Sequence, residues 1–302
     1  MRKTASSGFV SAYEGFTRIP RQAESPFFAL HLELVSDYTS ESFLAAFDRF
    51  VSRRGLPLCV YSDNGTNFKG AENKLKSQLR QVTSDINFKN IFASDEITWK
   101  FIPPGAPHFG GLWEAGVKSV KFHLKRIIGE FKLTYEKFNT LLCKVESCLN
   151  SRPIHPLSDD PESFDTLTPG HFLTGSLLKA VPTPSLLNLS ENRLSRWQTV
   201  QAITERFWKV WSSDYLNSLQ TCSKWPKHRS NLKINDLVLI KNPNFPPTKW
   251  ELERVVKVYP RTDNLVRMVD VKTVNAIYTR PISKLCLLPV AENNTFSVES
   301  LQ

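Results

Sequence analysis

Hydrophobic order begins with FFALHLELV at residues 27–35, an apolar run with partial alternation of the kind that makes a mostly buried strand. Ahead of it, residues 1–28 scatter Ser, Arg, Pro and Gly with no sustained period, an irregular segment in which Gly8–Tyr13 could form one short strand at most. Beyond it the period lengthens. Thr39 is placed to cap a helix on which Phe43, Phe47, Phe50 and Val51 share a face, and Gly55 ends it. LCVYSDNG (58–65) reads as a second strand running into an Asp-Asn-Gly turn, residues 71–82 as a short helix, and Ile97–Ile102 as a third strand stopped by Pro103-Pro104. Val117, Val120, Leu124, Ile127 and Phe131 recur at three- and four-residue spacing and predict a long amphipathic helix from about Trp113. A further helix runs from about Thr134 to Asn150. Strands alternating with helices give residues 27–150 an α/β layer architecture.

The pattern then breaks. Six prolines between residues 151 and 190 interrupt any long element, so this stretch is expected to be a linker with short ordered pieces, HFLTGSLL among those able to pack on the core. Helical periodicity returns at 193–220, where Leu194, Trp197, Val200, Ile203, Phe207, Trp211 and Tyr215 fall three or four apart. So aromatic a stripe needs covering, and a helix packed on its own domain is the simpler expectation than a base-stacking surface. LVLIKN, WELERVVKVYP, LVRMVDVKTV and AIYTRPI follow as short β-type runs separated by Asn, Pro and Asp, the pattern of a small barrel. The expected division is an irregular segment at 1–28, a core at 29–152, a Pro-rich linker at 153–192, a helix plus small barrel at 193–290 and a tail at 291–302.

Composition sharpens the second half more than the first. With 41% hydrophobic and 23% charged residues the chain is neither fibrous nor disordered. The net charge of +10 is concentrated: residues 193–290 hold 17 Lys and Arg against 7 Asp and Glu, whereas residues 1–192 hold 22 against 20. A domain so basic favours a polyanionic partner, nucleic acid before others, over a merely solvated surface. No apolar stretch is long enough for a membrane-spanning helix and no secretory segment opens the sequence, so an intracellular protein is expected. The five cysteines form no CxxC pair and read as buried free thiols.

The sharpest local chemistry is YSDNGTNF at 61–68. An acidic residue at the carboxyl end of a buried strand sits at the rim of the sheet, where α/β proteins place their sites, although Asp-Asn-Gly is also ordinary turn chemistry. Glu114 opens the long helix after the glycine-rich turn Pro107-His108-Phe109-Gly110-Gly111, so its carboxylate can point to the same rim. Lys118 and Lys121 lie four and seven positions later on its face, and Lys125 extends the basic stripe. Carboxylates beside lysines suit a divalent ion held between protein and phosphate oxygens. The plainer reading of that face is an intrahelical Glu–Lys pair on a solvated surface.

YSDNGTNF, PPGAPHFGGLWEAGVKSVK and LNSRP together resemble the integrase core of retroelements, most closely that of BEL/Pao-class LTR retrotransposons. The likeness extends to HLELVSDYTSESFLAAFDRF upstream and to LTPGHFLTG, SRWQTVQAITERFWKVW, LKINDLVLIKN and IYTRPISKLCLLP downstream, covering about residues 29–289. This resemblance implies a ribonuclease-H-like core followed by an SH3-like DNA-binding barrel. It implies DNA ends and a target duplex as partners, a possible homo-oligomer, no membrane and a nuclear location. In that family two aspartates and one glutamate hold two Mg²⁺ or Mn²⁺ ions for polynucleotidyl transfer. On this chain Asp63 resembles the second aspartate and Glu114 the glutamate, which makes them the expected catalytic and metal-binding residues, with Lys118, Lys121 and Lys125 as the expected DNA contacts.

The departure from the family pattern lies upstream. No aspartate precedes Asp37, which falls in a loop, Glu14 has an unrelated context, and the first 58 residues hold one His and no Cys for a zinc segment. Two ligands without a third bind divalent ions weakly or not at all. The resemblance also puts the missing strands at the centre of the sheet, between HLELV and YSDNG. The expectation is therefore a truncated and catalytically incompetent integrase-like chain, the alternative a non-catalytic nucleic-acid-binding remnant of a retrotransposon polyprotein.

Overall fold

The computed structural model describes residues 9–14, 29–83, 97–103, 111–129, 131–158, 160–190, 193–220, 231–242, 245–273 and 276–288, with only the backbone described at 9–14 and 111–115. Among these residues the architecture is α/β. The first half contributes two separate two-stranded ribbons, and the second half a single five-stranded antiparallel sheet.

Strand β1 (Phe9–Glu14) pairs antiparallel with β2 (Leu30–Val35), Phe9 opposite Val35 and Glu14 opposite Leu30. A strand thus occupies part of the segment read as irregular, at the place where Gly8–Tyr13 allowed one. Helix α1 (Ser40–Arg54) follows, its first turn capped by the Thr39 hydroxyl accepting from Ser42 N–H, and its end closed at Gly55, whose φ of 89° suits glycine. Phe43, Phe47 and Phe50 are buried as their spacing requires. Strand β3 (Cys59–Ser62) then pairs in parallel with β4 (Thr98–Phe101). Between them helix α2 (Thr66–Thr83) starts five residues earlier than its periodicity suggested. The Asp-Asn-Gly turn runs straight into helical bonding, with Lys69 N–H donating to Gly65 C=O at 3.1 Å, so no loop separates turn from helix.

Helices α3 (Gly111–Ile128) and α4 (Tyr135–Asn150) come next, α4 capped by Thr134 accepting from Lys137 N–H. The Pro-rich stretch holds the short ribbon of β5 (His155–Pro156) and β6 (Thr166–Leu167) and helix α5 (Pro169–Thr174), closed by Gly175 at φ 72°. Helix α6 (Arg196–Gln220) is the long aromatic one. The five-stranded sheet has the order β10 (Ile277–Pro281), β9 (Val266–Lys272), β8 (Leu252–Pro260), β7 (Leu237–Ile240), β11 (Leu285–Leu287).

The packing does not follow the charge boundary at 193. Phe207, Trp208 and Trp211 of α6 share one core with Leu30, Leu32 and Leu34 of β2, Val120 and Leu124 of α3, and Leu141, Leu142 and Val145 of α4. Toward its other end Leu216 joins Leu237, Leu239, Cys286 and Leu288 of the sheet. Each large apolar side chain so buried contributes about 2–3 kcal/mol before entropy is subtracted, which makes α6 a spine common to both halves. Phe43, Phe47, Val60 and Ala71 form a separate core that holds α1 and α2 against the β3–β4 ribbon. Among the described residues, β1–β2 and β3–β4 form separate ribbons.

Candidate functional site

Because β3 and β4 run parallel, with Ser62 opposite Phe101, their carboxyl ends lie at one rim. Asp63 is the first residue past β3 and is exposed there. Its Oδ1 accepts from Gly65 N–H at 2.8 Å, and Asn64 Nδ2 donates to Ile102 C=O at 2.7 Å, fastening the turn to the end of β4. A Cβ on Gly65 would come within 2.9 Å of Asp63 Oδ1 and 2.6 Å of Asn67 Oδ1, so a larger residue there would push both side chains out of their present positions. Ser62 is buried beneath, accepting from Trp99 Nε1 at 2.9 Å. One oxygen of Asp63 is thereby engaged in its own turn, and the carboxylate faces solvent.

Helix α3 divides as its sequence predicts. Val120 and Leu124 enter the core, while Lys118, Lys121 and Lys125 form an exposed stripe on the opposite side. Glu114 belongs to the first turn of the same helix, but its side chain falls outside the described atoms, as does the whole turn Pro107-His108-Phe109-Gly110. Of the two predicted carboxylates, only Asp63 therefore has a described position. Among the described residues no group of three or more His, Cys, Asp or Glu could hold a metal ion. Asp63 alone, with one oxygen committed to its turn, supplies fewer charged oxygens than Mg²⁺ or Mn²⁺ takes from protein sites.

Asp37 is accounted for otherwise. It accepts from Thr39 N–H at 2.9 Å and from the Thr39 hydroxyl at 2.7 Å, and bonds from Ser42 and Thr39 hold its carboxyl below the usual carboxylate range. It braces the entry to α1. Glu14 ends β1 opposite Leu30, with only its backbone described.

A polar cluster that the sequence reading missed lies in the first half. His31, Glu33 and Glu146 are all buried. His31 Nε2 is 3.1 Å from Glu33 Oε1 and its Nδ1 is 3.2 Å from Glu146 Oε2, so the ring bridges the two carboxyl groups. Arg49 Nε donates to Glu33 at 2.8 Å, Arg53 also pairs with Glu33, and Arg54 meets Glu146 at 3.0 Å. The signal was present, since Glu146 interrupts the apolar face of Leu142, Val145 and Leu149, and His31 and Glu33 alternate with leucines. Its work is structural. Glu146 also accepts from Leu32 N–H at 2.9 Å, Asn150 accepts from Leu30 N–H at 2.8 Å and donates to Leu30 C=O at 2.6 Å, and Tyr135 donates to Leu34 C=O at 3.0 Å. Helix α4 thus closes the outer edge of β2 with side chains.

Residues 231–288, which hold the five-stranded sheet, carry 10 Lys and Arg against 5 Asp and Glu, half of the basic excess within 193–290. Lys233, Lys249, Lys257, Arg261, Arg267 and Lys284 are exposed, Arg267 in a 2.7 Å pair with Asp263. On the outer face of β8 and β9, Lys257 lies 4.9 Å from the Tyr259 ring centre, and Tyr259 and Thr279 both donate to Asp270. Those two bonds, Thr279 first, hold the Asp270 carboxyl below its ordinary range. Inside the sheet Glu253 is fully buried opposite Val238, and neither carboxylate oxygen has a hydrogen-bond partner among the described residues. Burial pushes its pKa up to about 7, Arg280 opposing and Glu251 reinforcing the shift.

Comparison with known proteins adds two findings. A family model described as a family of unknown function (DUF5641) matches residues 195–288, which is α6 together with the five-stranded sheet. No curated protein matches. Among solved structures, the chain is similar to a chain of the simian T-cell lymphotropic virus intasome in complex with the PP2A regulatory subunit B56 gamma, at 11% identity and a TM-score of 0.34, over 95% of this chain and 78% of that one. A likeness that low does not establish a common fold, and what α6 and its sheet share with DUF5641 carries no assigned activity.

Proposed function

We propose that this chain is an integrase-like nucleic-acid-binding protein of retroelement origin, whose α6–sheet half and α3 lysine stripe contact DNA phosphates. The observation that carries the reading is the concentration of charge, 17 basic against 7 acidic residues within 193–290, shared between residues 193–230 and the sheet region, where Lys257 of β8 and the flanking Arg261 and Lys284 are exposed. Lys118, Lys121 and Lys125 add a second basic track on a helix whose other face is fixed in the core. Motif order in the sequence supports the BEL/Pao assignment, and under that assignment the sheet is an SH3-like module. DNA binding of this kind releases counterions, so the logarithm of affinity for a duplex falls linearly with the logarithm of salt concentration. Fluorescence anisotropy of a labelled duplex against the full chain tests this. Lys257→Glu with Lys284→Glu should weaken binding about tenfold or more and flatten the salt dependence, whereas affinity indifferent to salt would refute the reading.

A second reading, metal-dependent polynucleotidyl transfer, is favoured by one observation, the exposed Asp63 at the rim of the parallel pair. Its test is joining of a labelled DNA end to a target duplex with Mg²⁺ or Mn²⁺. Activity abolished by Asp63→Asn and by Glu114→Gln would establish it, and no joining at any metal concentration leaves the binding function alone.

A further inference from the structure

A cleft of about 1100 Å³ lies away from the Asp63 rim. It opens between α4, α6, the loop 245–252 and the linker 177–187. The linker crosses it as a strap fastened at both ends. Ala180 N–H donates to the Thr248 hydroxyl at 2.9 Å on the sheet side. On the α6 side the Ser185 hydroxyl and Leu186 N–H both donate to Glu205, at 2.6 and 2.9 Å. Between these anchors Val181 stands 83% exposed.

The chemistry of the walls is one-sided. Lys144, Lys179, Lys209 and Lys249 line the cleft, and none of the four pairs with a carboxylate among the described residues. Glu205 is the sole acidic residue of the lining, and both its oxygens are taken by the strap. The remaining lining mixes hydroxyls such as Thr140 and Thr183 with apolar surface from Trp250, Phe245 and Leu187. An occupant must therefore be anionic, offer apolar side chains and be thin enough to pass beneath or beside a fixed strap.

A duplex is too wide for such a cleft. A single nucleic-acid strand would need open ring faces to stack on. Trp208 is 3% exposed and is met edge-on by Trp250 at 4.8 Å, so its faces are already used. An extended peptide asks for what the walls do provide, apolar pockets for alternate side chains and cations for the carboxylates between them. We propose that this cleft is a docking groove for an extended acidic peptide segment of a partner protein, carrying apolar residues between its carboxylates. The strap and Trp250 form its apolar walls, and Lys179, Lys209 and Lys249 neutralise the ligand. The groove shares the α6–sheet half with the proposed DNA contacts, but its reading rests on none of Lys257, Arg261 or Lys284.

Selection of a random-peptide display library on the full chain tests this directly. The expected winners are rich in Asp and Glu with at least one aromatic or large aliphatic residue. As synthetic peptides they should lose roughly tenfold or more in affinity to the Lys179→Glu/Lys249→Glu variant and none to Lys69→Glu, an exposed lysine on α2. Circular dichroism and the melting temperature of the double variant should match those of the parent chain. Failure to enrich acidic sequences, winners indifferent to the cleft variant, or displacement of a winner by oligothymidylate at comparable affinity would each overturn the proposal, the last by assigning the groove to single-stranded nucleic acid.

Discussion

The two halves of the molecule solve one problem by opposite means. In the first, the one described strand paired with β2 is β1, and the other edge of β2 is met by side chains, with Asn150 holding both backbone groups of Leu30, Glu146 the Leu32 amide and Tyr135 the Leu34 carbonyl. In the second, β7, β8 and β9 each lie between two neighbouring strands, and the backbone pairs with itself. The buried polar side chains differ accordingly. His31, Glu33 and Glu146 form a connected network reaching Arg49, Arg53 and Arg54, whereas Glu253 sits in the sheet with no hydrogen-bond partner among the described residues. Unpaired backbone at a buried edge is costly, so a ribbon without a full sheet around it must borrow donors and acceptors from a helix, and a complete sheet need not. Polar burial is thus a requirement in one half and a liability in the other.

Four measurements bear on that contrast. The largest effect is expected where the halves share a core. Phe207→Ala should cost about 4 kcal/mol by denaturant unfolding. If α6 is a common spine, signals from both halves should shift together, and a sheet that melts at its original midpoint would show the halves to be independent. Asn150→Ala should cost about 3 kcal/mol, because it strands a buried amide and carbonyl of Leu30 that no strand can satisfy. A cost near that of an ordinary surface substitution would mean that water or another strand reaches this edge.

Glu253→Gln should act in the opposite direction. The folded-state pKa is raised, from 4.5 to about 7, so the native protein binds the proton more tightly than the unfolded chain. Stability is then unpenalised below about pH 4.5, falls as pH rises through about 7, and stays reduced above it. The variant should be more stable than the parent by on the order of 2 kcal/mol at pH 8 and little different at pH 4. Equal stabilities across that range would argue that Glu253 has a partner. The smallest effect is local: Gly175→Ala, at φ 72°, should cost about 1 kcal/mol by loosening the end of α5 in the connecting stretch, with no change in either half's spectrum.

The sequence exposed its elements well where one face of a helix was apolar. Phe43, Phe47 and Phe50 announced α1, and the stripe from Val200 to Trp211 announced α6, because burial imposes a period that composition alone can reveal. The start of α2 was hidden, since Asp, Asn and Gly signal a turn whether or not a helix follows without a gap. At the candidate site, Asp63 and the lysines at 118, 121 and 125 were legible as residues at a strand end and on one helix stripe, and the structure exposes all four. The His31–Glu33–Glu146 pairing was not, because Glu146 lies more than a hundred residues from His31 and Glu33 and nothing in an alternating strand says which helix will face it. The strap cleft was equally hidden, its four lysines coming from two helices, a linker and a loop.

Taken alone, the chain determined its elements, the concentration of positive charge in its last third and the motifs that resemble an integrase, since each depends on residues close together or on simple counting. Tertiary structure alone decided that α6 belongs to both halves, that a helix rather than a strand closes the edge of β2, and that lysines far apart in sequence meet around one cleft. Those outcomes depend on which surfaces touch, and contact energies between distant segments leave no periodic trace in the order of residues.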